Sequence, residues 1–86
     1  MGTKNKPGKF DCMKNAEPDE PYFVLLGRDP SAALLVKMWA HGRTTMITGG
    51  EKPESDREMV DEALGVAEQM EAFAADWRMR KAKPTC

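Results

Sequence analysis

The stretch Ser55-Asp-Arg-Glu-Met-Val-Asp-Glu-Ala-Leu-Gly-Val-Ala-Glu-Gln-Met-Glu-Ala-Phe-Ala-Ala-Asp-Trp-Arg-Met-Arg-Lys81 reads as one long helix. Only Gly65 interrupts it, and no proline occurs before Pro84. Val60, Ala63, Ala67, Met70, Ala74 and Trp77 alternate three and four residues apart, the spacing of an apolar seam. Met59, Val66 and Phe73 repeat at seven beside it, while Asp56, Glu58, Asp61, Glu62, Glu68, Glu71 and Asp76 occupy the other surface. Ser55 with Glu58 three residues on has the pattern of a capping box, which predicts the helix start.

Upstream, residues 44–50 read as a loop closed by Gly49-Gly50. A shorter helix precedes it. Asp29 is its predicted cap, Pro30 its first position, and Gly42 its stop after Ser31–His41. Ala32, Leu35, Val36, Trp39 and Ala40 share one face, with Leu34 and Met38 on another. A helix apolar nearly all round is a buried helix. Tyr22-Phe-Val-Leu-Leu26, bounded by Pro21 and Gly27, has strand composition. It must pair with the arm, pair with a second copy, or lie extended against the helices. Residues 1–21, with Pro18 and Pro21, form an extended or partly ordered arm. The expected fold is mainly α. It is a helical hairpin of a short buried helix and a long amphipathic helix, with an extended N-terminal arm and one short strand-like segment. The α-rich domain spans 22–83 and a tail 84–86.

Helix lengths create a covering problem. At 1.5 Å per residue the short helix is roughly 18 Å long and the long one roughly 40 Å. Met70, Phe73 and Trp77 therefore stay wet in a lone hairpin. Burying each such side chain is worth about 1.5–3 kcal/mol, so a homo-oligomer that covers them is expected. The alternative cover is the arm, folded back through Phe10 and Met13.

Composition narrows the chemistry. The 86 residues are 41% hydrophobic and 31% charged, with a net charge of −1, which fits one small globular domain. No apolar run reaches the ~20 residues of a membrane span, and Met1–Lys6 has no signal-peptide core. Two distant cysteines, Cys12 and Cys86, fit neither a disulfide framework nor a metal site and suit a reducing cytoplasm. His41 is the single histidine. Nucleophilic catalysis would need it beside Ser or Cys, and a cation at a helix C-terminus explains it more simply. The inventory points to a protein that is not an enzyme and needs no cofactor or metal.

The segment Leu26-Gly-Arg-Asp-Pro-Ser31 is the candidate ligand site. A helix N-terminus suits an anion, Gly27 permits close approach, and Arg28 offers a forked charged contact. Ser31 lies at the helix start. Lys37, His41 and Arg43 follow in a stretch, 31–50, without acidic residues. These cations either complete an anion pocket or form salt bridges to the acidic helix. Asp29 is a competitor for the same amides. The basic run Arg78–Lys83 lacks interleaved aromatics, so direct nucleic-acid binding is not expected.

Phe10-Asp-Cys12, then Asp19-Glu-Pro-Tyr-Phe-Val-Leu-Leu-Gly-Arg-Asp-Pro-Ser-Ala32, Leu35-Val36 and Trp39-Ala40, resembles a group of small phage and prophage accessory proteins. The resemblance covers residues 10–40, and the late Trp77 fits it more loosely. It implies a viral or mobile-element origin, action in the cytoplasm of a bacterial host, and work by binding against host immunity. Two expectations follow. The first is a homo-oligomeric, non-catalytic protein that sequesters an anionic, nucleotide-like small molecule. The second is an inhibitor or adaptor of a host defence complex, anti-CRISPR-like, that uses its acidic helix face as a decoy.

Overall fold

The computed structural model of the chain describes residues 1–80. Lys81, expected as the end of the long helix, the last three positions of the basic run, the 84–86 tail and Cys86 lie outside the described residues. The architecture is mainly helical: α1 (Cys12–Asn15), α2 (Ala32–Thr48) and α3 (Asp56–Arg80). No strand occurs among the described residues. Residues 22–26 have no ladder partner among the described residues, so the strand-like segment does not pair with the arm; Leu25 is partly covered while Tyr22, Phe23 and Val24 stay exposed.

The shorter helix corrects the sequence reading. Gly42 does not stop α2, which continues to Thr48 and is about 25 Å long. Residues 44–48, expected as loop, are its last turns. Contacts to the start of α3 carry the helix through, and its threonines turn their hydroxyls onto the helix itself. Thr44 and Thr45 donate their hydroxyls to the carbonyls of Ala40 and His41, at 2.9 and 3.1 Å. Arg43 reaches Asp56 across the hairpin. Ile47 is buried, and it forms the core cluster with Ala40 and Val60.

The stop is the Gly49-Gly50 pair. The Gly50 amide donates to Ile47 and the Glu51 amide to Met46, at 3.1 and 2.9 Å. These are the two bonds of a Schellman ending, with Gly50 at φ +82° supplying the left-handed turn.

Both predicted caps also differ in detail. Asp29 Oδ1 accepts from the Ser31 amide at 2.8 Å, so it closes a turn around Pro30, and the helix begins at Ala32. For α3 the start holds but the capping box does not form among the described residues. The Asp56 and Arg57 amides donate to the Pro53 and Glu54 carbonyls, and Glu58 turns to Lys9 instead.

The α2–α3 interface is built from small residues. Ala32, Ala33 and Ala40 on α2 are buried, as are Ala63, Ala67 and Ala74 on α3, with Ile47 and Val60. Alanine seams let two helix backbones approach closely, at the low end of the ~8–10 Å interaxial range. They also bury little area. Among the described residues none of the large side chains is fully buried.

The arm docks on α3 by hydrogen bonds. Lys9 and Phe10 both donate backbone amides to the Glu62 carboxylate, at 2.8 and 3.1 Å. The Met1 ammonium closes the arm onto the Phe10 carbonyl. Gly8 makes this possible: its φ is +84°, and a Cβ would meet both Glu62 and the Met1 carbonyl at 2.1 Å. Glu62→Ala should therefore release the arm. Losing about 1.4 kcal/mol raises the detached population tenfold, so tryptic cleavage at Lys9 should quicken by that factor while helix content is unchanged. Unchanged cleavage would show that the arm is held by other contacts.

Among the described residues no helix is long and apolar enough to cross a membrane.

Candidate functional site

The overhanging end of α3 is where the site forms. Because the helices run antiparallel, the extra turns of α2 extend toward the start of α3, as the Arg43–Asp56 pair shows. They leave Met70, Phe73 and Trp77 to other cover. That cover is Leu25–Arg28. The Cβ position of Gly27 lies 3.5 Å from Met70 Cγ and 3.8 Å from Phe73 Cβ. Glycine is what allows the strand-like segment to lie directly on the helix. Phe10 and Met13 line a neighbouring cleft with Val36, Val66 and Met70, so the fold-back of the arm contributes as well.

Between these layers runs an open groove of about 610 Å³. This lies within the ~300–1,000 Å³ of small-molecule sites. Its apolar floor is Leu25, Leu26, Val66, Met70, Phe73 and Trp77, and its polar groups include Lys4, Arg28 and Gln69. Two cations and no carboxylate line it, although the chain is net negative.

Arg28 is the central group. It is half-buried, and its guanidinium carbon sits 4.9 Å from the Trp77 ring centroid. Stacking of a delocalised cation on indole explains the placement. Arg28 Nε is shut off from solvent and has no hydrogen-bond acceptor, and among the described residues the side chain has no carboxylate partner. Arg80 lies outside the lining but is a second cation on the aromatic pair, 5.6 Å from the Trp77 ring and 5.7 Å from Phe73, and its charge is shared with Asp76 at 2.6 Å. Phe73 and Trp77 stack with centroids 6.0 Å apart. Phe73 remains nearly half exposed, so an aromatic face is accessible in the groove.

The structure keeps together only part of the predicted ligand set. Gly27 and Arg28 line the groove. Ser31 is exposed at the start of α2, engaged through its amide with Asp29. Lys37 pairs with Glu71 at 2.5 Å, and Arg43 with Asp56 at 3.1 Å while lying over Trp39. Those two cations took the salt-bridge option. Asp56 and Trp77 are roughly 30 Å apart along α3, which separates Arg43 from Arg28. His41 is exposed in the middle of α2, not at a helix end, so the dipole argument for it fails.

Met70, Phe73 and Trp77, expected at an oligomer interface, line the groove of the single chain. Asp29 is absent from the lining, its carboxylate turned to the Ser31 amide. Asp29 therefore does take an amide at the start of α2, as expected of a competitor, but outside the groove. The acidic surface of α3 is also less free than its pattern implied. Asp56, Glu58, Glu62 and Glu71 bond to α2 or to the arm.

Sequence reasoning missed Lys4 and Gln69. Lys4 sits in an arm read as solvent-facing. Gln69 had a usable signal, since it precedes Phe73 by four residues and so shares its side of the helix. No cluster of three His, Cys, Asp or Glu suited to a metal occurs among the described residues. Comparison with protein-family models, curated proteins and solved structures finds no match for the chain.

Proposed function

We propose that this chain is a non-catalytic binding protein that holds an anionic, nucleotide-like small molecule in the groove between Leu25–Arg28 and the end of α3, and that it works as a homo-oligomer. The observation that carries the reading is the Arg28 side chain. It is stacked on Trp77 in a groove without carboxylates, with a buried Nε lacking an acceptor. Nε is closed to any ligand atom, so the contact falls to the terminal N–H groups of the guanidinium, which has no carboxylate partner among the described residues. A phosphate takes charge-assisted bonds from Arg28 and Lys4. A base packs on Phe73, and Gln69 offers donors and acceptors to its edge.

The resemblance of residues 10–40 to small phage accessory proteins supplies the setting: sequestration of a nucleotide signal of host defence in the bacterial cytoplasm. The inhibitor or adaptor reading ranks second. Four of the carboxylates on which a charge decoy would rely are occupied within the chain.

Native mass spectrometry of protein purified from cells reports assembly mass and any retained ligand together. Calorimetric titration should then give binding for short linear or cyclic oligonucleotides or for mononucleotides, and none for the matching phosphate-free nucleosides. No retained ligand and no heat with any phosphorylated compound would overturn the reading.

A further inference from the structure

Helix α2 has a second side that the fold does not cover. Ala33, Ala40 and Ile47 are buried, with Val36 partly so, on the side that packs on α3. At 100° per residue Leu34, Leu35, Met38, Gly42, Thr45 and Met46 fall on the opposite side. Leu34 and Met38 are each 61% exposed, and Leu35 and Met46 are 44% and 40% exposed. None of the six is charged. Of the basic residues of α2 near them, Lys37 and Arg43 are committed to Glu71 and Asp56, and the exposed His41 flanks the face beside Gly42.

Gly42 sits in the middle of this face. Its backbone is not in the positive-φ region, and nothing approaches within 4 Å of where its Cβ would be. Glycine in a helix interior costs stability relative to alanine, and nothing inside this chain requires it. A backbone approaching from another molecule does require it.

We infer that α2 packs against α2 of a second copy across a two-fold axis near Gly42, which completes a four-helix dimer. This rests on the homo-oligomer part of the proposed function and names the surface that serves it. A face without charge meets its own copy without repulsion, and it offers an acidic or basic partner nothing to pair with. It is also self-complementary. The Met38 side chain of each copy fills the notch left at Gly42 of the other, the reciprocal contact of an isologous interface. Leu34, Leu35, Met38 and Met46 are the large apolar side chains that this contact covers. The dimer also supplies large buried side chains that the alanine-lined hairpin lacks.

Sedimentation velocity of the full chain without nucleotide, at micromolar concentration, tests this. The wild type should run at roughly 19 kDa, twice its 9.6 kDa. Met38→Glu should run at 9.6 kDa with the same helical circular dichroism. Gly42→Ala favours an isolated helix, yet it should weaken the dimer about tenfold or more by holding the backbones apart. That opposition of signs keeps the test decisive even if Met38→Glu does not fold. A wild-type monomer overturns both this surface and the homo-oligomer. An oligomer indifferent to Gly42→Ala, or tightened by it, overturns the surface alone. Ligand binding in the groove is read separately by titration of the same proteins.

Discussion

Arg28→Ala is expected to weaken nucleotide binding roughly 10- to 150-fold, the equivalent of about 1.5–3 kcal/mol for a hydrogen bond to a charged group. The lost guanidinium is the cation at the centre of a groove that holds no carboxylate to replace its role. Arg28→Lys should recover only part of the affinity, since an ammonium keeps the charge but not the planar fork or the stack on Trp77. An exposed arginine would contribute almost nothing to folding. Arg28 is half-buried on an indole, so its removal should also cost about 0.5–1 kcal/mol and lower the melting temperature by a few degrees.

Asp29→Ala gives the opposite pattern. It removes the bond to the Ser31 amide at the start of α2, worth about 1 kcal/mol, and leaves affinity unchanged because Asp29 does not line the groove. Calorimetry and thermal melts on the two variants separate the roles. If Arg28→Ala lowers the melting temperature while affinity stays the same, the arginine is structural and the groove is not its ligand site.

Ala67→Leu is expected to have the largest effect on stability, about 2–3 kcal/mol or more. Ala67 has no exposed surface, and the helices meet there through alanines, so three added carbons must push α2 and α3 apart. An 86-residue domain has about 4–13 kcal/mol of stability in all, and the melting temperature should fall by roughly 8–20 °C. Ala75→Leu, on the exposed side of the same helix, is the control and should be nearly neutral. Equal melting temperatures for the two variants would show that the alanine seam is not the contact surface.

The long helix was legible in residues 55–81 because its signal is local and repeated. The seam from Val60 to Trp77 and the freedom from proline act within one element, and α3 starts within a residue of its predicted cap. The same holds for Gly27 and Arg28, whose placement between the extended run and the next helix was visible in their order. Gly42 shows the limit. A glycine after eleven helical residues is a stop on local propensity. Here Ile47 burial and the Arg43–Asp56 bridge, both contacts with a distant segment, outweighed a preference of about 1 kcal/mol.

The site divides the same way. Sequence alone set the residue types: an arginine next to a glycine, two late aromatics, a basic arm and an uncharged helix face. Only the tertiary structure decided their company. It drew Lys37 and Arg43 to Glu71 and Asp56, and it turned Asp29 onto the Ser31 amide. It also laid Gly27 on Met70 and Phe73, which with Trp77 line a groove of the single chain. The physical reason is that pairing and cover depend on which segments arrive in space together. Residue order constrains that arrival only where the chain between them is short and stiff.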